Sequence, residues 1–318
     1  MIFHTFPDHT LPDFNLDAPC PRYGWPNMII HAAGRNVIYP EHAGPLSIKC
    51  AFGGQEIYEV ERRRHIVSDG AFLILNDGQR YASRIESERE VEALCIFFRP
   101  GFAGEVLTGV TIATGRLLDD PSWQRDGSTT FIEKNYPHSP HLLPHLTELR
   151  AHSRDPITAG WIEERFHILM EGLLHLQAGI CREIGRLPAV RIGTRIEIYR
   201  RLEQAREFIN GNLHRRITLP EIADEACLSV HHFLRLFKSA YLRTPHQYLT
   251  ERRLERAQEM LASEEGTISE ICARVGFESL GSFSWLFRRR VGMAPELYRR
   301  AIRTERRNQA MAETSAEG

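Results

Sequence analysis

Hydrophobic and polar residues alternate over short runs between about residues 25 and 100, which is the pattern of β-strands with one buried face. Turn-forming pairs separate these runs, among them Gly-Pro at 44–45, Gly-Gly at 53–54 and Asp-Gly at 69–70. Eight strands are predicted, at 27–31, 36–39, 46–52, 56–61, 65–67, 72–75, 81–85 and 91–98. Short strands at this regular spacing predict a small antiparallel barrel or a double-sheet jelly roll.

A different period follows after an irregular, proline-containing segment. Between residues 160 and 180, apolar side chains recur at alternating steps of four and three, which predicts an amphipathic helix with a coiled-coil-like seam. The seam consists of Ile162, Phe166, Leu169, Leu173, Leu176 and Ile180. It either pairs with a second copy of the chain or packs on the chain's own barrel. Gly185 and Pro188 end the helix and mark a predicted domain boundary.

The remainder reads as helical and contains a sequence repeat of about 50 residues. The first copy has Ile222, Ala223 and Leu228-Ser229, then Phe233, Leu236 and Phe237, with Pro245 and Tyr248 behind them. The second has Ile271, Cys272 and Phe277 with Ser279, then Phe283, Leu286 and Phe287, with Pro295 and Tyr298 behind them. A single residue, Glu278, is inserted at the turn of the second copy. Each copy has the pattern of two helices joined by a tight turn.

The turn in each copy falls at a small residue, Cys227 or Gly276, which lets two helices cross closely. Ser229 and Ser279 follow at the position of an N-cap for the next helix. That helix buries its phenylalanine face, and the opposite face stays free to touch a partner. A lone pattern of this kind is weak evidence, whereas two copies in register strongly indicate a double helix-turn-helix.

These residues resemble the DNA-binding domain of the AraC/XylS transcriptional regulators. The resemblance covers residues 203–303, with helix-turn-helix motifs at about 219–240 and 268–290, and Arg252-Arg253-Leu254-Glu255-Arg256-Ala257 also carries it. Residues 1–140 resemble the family's cupin-like sensor barrel only in topology and position. The family therefore implies an α+β protein of two domains: a cupin-like antiparallel jelly roll with helices, a helical dimerisation and linker segment at 141–188, and an all-α DNA-reading domain.

The resemblance also implies a function and a set of contacts. Two recognition helices would enter successive major grooves of promoter DNA, with Arg235 as the best candidate for a bidentate guanine contact. The second helix should read less sequence, because Trp285 stands where the family commonly has arginine. The full set of expected DNA contacts is Ser229, His231, His232, Leu234, Arg235, Lys238, Ser279, Gly281, Ser282, Trp285, Arg288 and Arg289. Expected partners are a small-molecule effector, RNA polymerase and a second copy of the chain.

The net charges of the separate segments support the division into two domains, whereas the total charge of the chain does not. The formal net charge is -1, but residues 1–185 carry -7 and residues 186–308 carry +8. An acidic half and a basic half suggest that the basic half binds a polyanion. Even so, +8 is modest, so nonspecific DNA binding should be weak and specific contacts should matter.

The remaining features give weaker expectations. The N-terminus lacks the pattern of a signal peptide and no segment is long and apolar enough to span a membrane, so a cytoplasmic protein with reduced thiols is expected. Cys227 and Cys272 are interpreted as core residues. Tyr58, Tyr81 and Arg84 are candidates to line an effector pocket, with a core or surface role as the alternative for each.

No metal, cofactor or enzyme activity is expected. His31, His42 and His65 lack the ligand spacing of metal cupins, and His138, His141 and His145 are interpreted as a surface loop. Two alternatives to a ligand-responsive regulator stay open. One is a cupin-type enzyme with a DNA-binding appendage, and the other is a ligand-independent activator whose barrel serves only for dimerisation or restraint.

Overall fold

A computed structural model describes residues 1–8, 26–61, 63–114, 130–137, 142–155, 158–263 and 266–316. The chain divides into two compact units, residues 1–181 and 182–318. The first unit combines a β-sheet with helices, and the second is helical in its described part.

Eight strands form one sheet in the first unit. They are β1 (Ile2–Phe3), β2 (Met28–Ala43), β3 (Ser47–Phe52), β4 (Gln55–Val60), β5 (Arg63–Ser68), β6 (Ala71–Leu75), β7 (Arg80–Phe97) and β8 (Asn135–Pro137). The strand order is β1-β2-β7-β3-β6-β8, and the β4–β5 pair branches from β7. All pairings are antiparallel except that of β1 with β2. This is a β-rich domain with helices, as expected, whereas its closure into a cupin jelly roll stays a prediction.

Two of the predicted strand pairs are wrong, because each pair is one long strand. The segments 27–31 and 36–39 belong to β2, and the segments 81–85 and 91–98 belong almost wholly to β7. β2 and β7 pair along most of their length, with register shifts between Gly34 and Asn36 and between Tyr39 and His42. Residues 86–90 lie between two predicted strands. They continue as strand because β2 supplies hydrogen-bond partners on both sides of the shift.

Both faces of the sheet are covered where the start of β2 pairs with the end of β7. Met28 and Ile30, with Cys95 and Phe97 opposite, belong to one buried cluster. Their alternate neighbours, such as Ile29, Leu94 and Ile96, point to the other face and are buried as well. Helices α1 (Phe102–Thr114), α2 (Leu143–His152) and α3 (Ala159–Gly185) follow in the sequence. Phe98 continues this second face and packs edge-on against Phe166 of α3, with ring centroids 5.5 Å apart.

Most residues of the expected dimerisation seam are buried within a single chain. Phe166, Leu169 and Leu173 are 0% exposed within a single chain, and Ile162 and Leu176 are partly buried. The seam therefore faces the chain's own sheet domain, which was the alternative interpretation of the same pattern. Heptad spacing identifies an apolar stripe but does not say which surface covers it.

The second unit contains seven helices in its described part. They are α4 (Ile192–Gly211), α5 (Leu219–Glu225), α6 (Val230–Tyr241), α7 (Pro245–Ala262), α8 (Ile268–Arg274), α9 (Leu280–Val291) and α10 (Pro295–Ala316). The pairs α5–α6 and α8–α9 coincide with the two predicted helix-turn-helix motifs. None of the described helices of either unit combines the length and hydrophobicity that crossing a bilayer requires.

Candidate nucleic-acid interface and N-terminal pocket

The first helix of each hairpin begins with the same capping box. The Thr218 amide donates to Glu221 Oε2 at 2.6 Å, and the Glu221 amide donates back to Thr218 Oγ1 at 3.4 Å. Thr267 and Glu270 repeat the arrangement at 2.7 and 3.2 Å. These bonds to Thr218, aided by Arg215, hold the pKa of the Glu221 carboxyl at about 2. This Thr-x-x-Glu pattern is a further signal in the sequence, and it extends the internal repeat by one position at its start.

The turns of the two hairpins have the same backbone shape but different side chains. Cys227 has φ +50° and Gly276 has φ +82°, so both lie in the left-handed region. A Cβ on Gly276 would lie 2.3 Å from the Leu213 carbonyl oxygen, so only glycine fits there. Cys227 is exposed, so its interpretation as a core residue is wrong, whereas Cys272 is buried as expected.

The two predicted N-cap serines behave differently. Ser279 Oγ accepts a hydrogen bond from the Ser282 amide at 3.3 Å, so it caps α9 as predicted. Ser229 occupies the N-cap position of α6, but its side chain makes no capping hydrogen bond. The hydroxyl of Ser229 is exposed. The amides at the start of α6 are left for another acceptor, such as water or a phosphate.

Helix α6 separates an aromatic face from a polar face. Phe233, Leu236 and Phe237 are fully buried, and Phe237 packs edge-on against Tyr241 at a centroid distance of 4.7 Å. The opposite face exposes His231, Arg235 and Lys238, and His232 and Leu234 lie partly exposed beside them. The expected DNA contacts of the first hairpin therefore share one accessible face.

Helix α9 presents a more apolar and more cationic face. Phe283 and Phe287 are buried, whereas Trp285 is 59% exposed and Leu280 is 44% exposed. The Arg289 guanidinium lies over the Trp285 ring, 5.2 Å from its centroid. The accessible face also includes Gly281, Ser282, Arg288 and Arg290. The second hairpin thus offers an indole and three arginines in its last turns, but few side chains that can read base edges by hydrogen bonds.

Helix α7 fixes the two hairpins to each other. Its Glu251 carboxylate binds Arg243, which follows α6, and also Arg290 at the end of α9, at 3.2 Å. Its Arg253 donates to the carbonyl oxygens of Leu213 and Arg215 at 3.0 and 2.7 Å. One helix is therefore bonded to both repeats. The two exposed faces are held in a defined relation, as reading two neighbouring sites on one duplex requires.

The first unit contains a cavity of about 70 Å³ on the face of its sheet that carries Met28, Ile30, Cys95 and Phe97. Tyr58 and Tyr81 contribute to its wall, but Arg84 does not. Arg84 pairs with Glu59 and Glu86 on the outer side of the sheet. The full lining is Phe6, Pro7, Met28, Ile30, Tyr39, His42, Lys49, Glu56, Tyr58, Tyr81, Ser83, Cys95 and Phe97.

Sequence reasoning missed the two charged residues of this cavity. Lys49 is 2% exposed and Glu56 is 3% exposed. Lys49 Nζ donates to the Tyr81 hydroxyl at 3.1 Å and lies 3.8 Å from the centroid of the Phe97 ring. Burial raises the pKa of the Glu56 carboxyl. A signal existed, because Lys49 is one of only three lysines in the chain and lies within an apolar run.

The histidines of the first unit make hydrogen bonds within the fold. His31 contacts Ser153 through Nδ1 and Glu92 through Nε2, and Glu92 also pairs with Arg150. This Ser-His-Glu order resembles a hydrolase triad and was not recognised in the sequence. Ser153 is only 2% exposed and its hydroxyl donates to the Arg150 carbonyl at 3.2 Å. The arrangement therefore connects α2 to the sheet.

The other two barrel histidines are also bonded. His42 Nδ1 lies 2.8 Å from the Pro40 carbonyl oxygen, and His65 Nε2 lies 2.7 Å from Glu133 Oε1. His138 and His141 lie outside the described residues, and His145 is 3.9 Å from Glu148. Within the described ranges, no group of three or more His, Cys, Asp or Glu side chains could hold a metal ion.

Comparison with known proteins points to the second unit. A family described as a helix-turn-helix domain matches residues 222–301. The probable transcriptional regulator LumQ of Photobacterium leiognathi is 32% identical over 157 residues, which are 49% of this chain and 57% of LumQ. The chain thus spans just over half the length of this relative.

Two solved structures are similar to the same region. One is the DNA-binding domain of the transcriptional factor AdpA in complex with a target DNA, 30% identical over 33% of this chain and 95% of that one, with a TM-score of 0.32. The other is an AraC-type regulator from Chromobacterium violaceum, 27% identical over 32% of this chain and 92% of that one, with a TM-score of 0.31. From the matched family and the two hairpins in register, residues 222–301 belong to a helix-turn-helix domain.

Proposed function

We propose that this protein is a sequence-specific regulator of transcription that binds promoter DNA through α6 and α9 and responds to a small molecule held by its N-terminal domain. The observation that carries the proposal is the pair of hairpins in register, each with one buried aromatic face and one accessible polar face. A purely structural repeat has no need to leave the same face of both second helices accessible.

The connecting helix suits two successive major grooves. Helix α7 has 18 residues and is therefore about 27 Å long at 1.5 Å per residue. Successive major grooves on one side of a duplex are about 34 Å apart. With the hairpins attached at either end, α7 supports simultaneous entry of α6 and α9 into neighbouring grooves.

The two helices divide the work of recognition. Arg235 on the free face of α6 can pair with the O6 and N7 atoms of guanine, and His231 and Leu234 lie beside it. The uncapped start of α6 at Ser229, together with Lys238, suits phosphate contacts that set the register. On α9, Trp285 with Leu280 favours apolar contact with thymine methyl groups, and Arg288 and Arg289 favour phosphates.

The remaining partners follow from this role. The pocket lined by Tyr58 and Tyr81 is the proposed effector site, and RNA polymerase in the cytoplasm is the proposed downstream partner. A second copy of the chain, which would double the contacts to DNA, must bind through a surface other than the α3 seam, since that seam is covered within one chain.

Selection from randomised duplexes with the full chain tests the proposal. We expect an enriched site with two conserved blocks whose centres are about one helical turn, or 10 base pairs, apart. The block read by α6 should carry more sequence information than the block read by α9. Enrichment of a single block, or of no sequence at all, would contradict the proposed double readout.

A further inference from the structure

The N-terminal cavity carries information about the chemistry of its ligand. This inference rests on the proposed function, in which the cavity is the effector site. The wall is largely aromatic, with rings from Phe6, Tyr39, Tyr58, Tyr81 and Phe97. A flat apolar ring packs well against such side chains, by offset stacking or by edge-to-face contact.

The two charged residues of the wall have hydrogen-bonding capacity left over. An ammonium group has three N–H donors, and within the described residues the Tyr81 hydroxyl is the one hydrogen-bond acceptor recorded for Lys49 Nζ. In the same part of the chain, Glu56 Oε2 is buried without a hydrogen-bond partner. A buried polar atom without a partner costs free energy. A ligand that both accepts and donates a hydrogen bond would remove this cost at both residues.

The charges of Lys49 and Glu56 also constrain the ligand. The Lys49 ammonium opposes the effect of burial on the pKa of the Glu56 carboxyl, and as an ion pair the two charges offset each other inside the cavity. An added carboxylate or ammonium would bring in a charge that has to leave water with no counter-charge to spare, which is expensive in a buried site. A neutral ligand avoids this cost.

The size of the cavity is sufficient for a small molecule. Its volume is about 70 Å³, and a single buried water needs about 10 to 15 Å³ on the same measure. The space therefore has room for a compact molecule of one ring.

We propose that the cavity binds a small, uncharged aromatic compound that bears a hydroxyl group. The ring lies among the aromatic side chains, and the hydroxyl accepts a hydrogen bond from Lys49 Nζ and donates one to Glu56 Oε2. The site therefore discriminates between ligands by the size of the ring, the net charge and the presence of a hydroxyl group.

Calorimetric titration of the full chain with four probes tests each of these features. The probes are phenol, anisole (the same ring without a donor), benzoate and benzylamine. We expect phenol to bind at least about tenfold more tightly than the other three, which is the scale of one buried hydrogen bond. Tighter binding of benzoate or benzylamine, or equal binding of anisole, would overturn the proposal, and these comparisons need no variant.

Two substitutions sharpen the charge argument. Glu56→Gln leaves the Lys49 charge unopposed, so the preference should move from phenol towards benzoate. Lys49→Met leaves the Glu56 charge unopposed, so the ligand preference should move from phenol towards benzylamine. Arg84→Gln, which lies outside the cavity, is the matched control and should leave all four affinities unchanged. An unchanged order of affinities in Glu56→Gln would contradict the assignment.

Duplex binding measured on the same samples separates this inference from the proposed function. A chain that binds its selected DNA site but none of the four probes refutes the ligand assignment alone. A chain that binds phenol but no DNA sequence supports the ligand assignment and refutes the proposed function.

Discussion

Arg235 and Trp285 occupy corresponding faces of the two recognition helices, yet their chemistry differs. Arginine can make two hydrogen bonds to one guanine, which discriminates against other bases by about 1 to 3 kcal/mol. Tryptophan has one donor and a large apolar ring, and here the ring is in contact with Arg289. Specificity should therefore depend more on α6 than on α9.

We predict that Arg235→Ala abolishes selectivity for the preferred site, whereas Trp285→Ala weakens binding only modestly. The measurement is the affinity of each variant for the selected duplex and for a scrambled duplex. Arg201→Ala is a matched control, because Arg201 is a partly exposed arginine on α4 that pairs with Glu197. Equal losses of selectivity in the Arg235 and Trp285 variants would contradict the predicted asymmetry.

Gly276 is the residue at which the second hairpin tolerates least change. Any side chain there has a strained positive φ and also collides with the Leu213 carbonyl and with Arg253. Gly292 ends α9 with a similar φ of +91°, but a Cβ there meets nothing within 4 Å. Comparing the same substitution at the two glycines therefore distinguishes the cost of a positive φ from the cost of a steric clash.

We predict that Gly276→Ala destabilises the second unit clearly more than Gly292→Ala does. The positive φ costs each variant about 1 kcal/mol, and the collision adds about 1 to 3 kcal/mol in the Gly276 variant alone, as in overpacked cores. Urea denaturation, followed by circular dichroism at 222 nm, measures the difference. Similar stabilities of the two variants would mean that the Leu213 carbonyl moves away freely.

At the scale of elements, helix α2 is held to the sheet by polar contacts. Glu92 on β7 accepts hydrogen bonds from Arg150 and contacts His31, and His31 contacts Ser153 just after α2. The Arg150 guanidinium also lies over the Phe52 ring, 4.0 Å from its centroid. Hydrogen bonds from Arg150, followed by that from His31, hold the pKa of the Glu92 carboxyl at about 2.

This depressed pKa predicts an acid-sensitive contact. In the unfolded chain a glutamate titrates near 4.3, so the stabilisation by Glu92 is complete above that pH and is lost as the pH falls towards 2. Glu92→Gln should lower stability at pH 7 by about 1 kcal/mol, since the carboxylate is partly exposed and solvent screens its charge. The difference should vanish near pH 2.

Thermal unfolding between pH 7 and pH 2.5 measures this dependence. Glu90→Gln is the matched control, because Glu90 is an exposed carboxylate two residues away on the same strand. A difference between wild type and Glu92→Gln that stays constant over the whole range would show that the contact does not depend on the charge of Glu92.

At the scale of the whole molecule, the acidic and basic segments of the chain nearly coincide with the two units. The acidic N-terminal half and the basic C-terminal half nearly cancel in the total of -1. Several arginines of the basic half are already paired, for example Arg215 with Glu221 and Arg252 with Glu255. These paired arginines are less available to phosphates, so binding should depend strongly on specific contacts.

A fragment that begins at Arg182 tests how the units cooperate. It keeps the hydrogen bond from the Tyr199 hydroxyl to Glu183 at 2.6 Å, which a later start would remove. We predict that this fragment binds the selected duplex more weakly than the full chain and does not respond to phenol on a reporter promoter. Full activity of the fragment without ligand would favour an N-terminal domain that only restrains or dimerises the protein.

The sequence by itself determined the features that depend on local spacing. The repeat placed both hairpins, the buried faces of Phe233 and Phe283, and the Ser279 cap, because helix period and capping act over a few residues. It also indicated a β-rich first domain through alternation and turn residues.

Only the tertiary structure decided what covers each surface. It showed that the α3 seam around Phe166 faces its own sheet and that β2 and β7 continue through the gaps between predicted strands. In the tertiary structure the Cys227 side chain is exposed, and Lys49 and Glu56, which lie on separate strands, both line one cavity. These outcomes depend on contacts between residues that are distant in the sequence. A pattern of apolar and polar residues predicts whether a face is buried or exposed, but it does not predict what that face packs against.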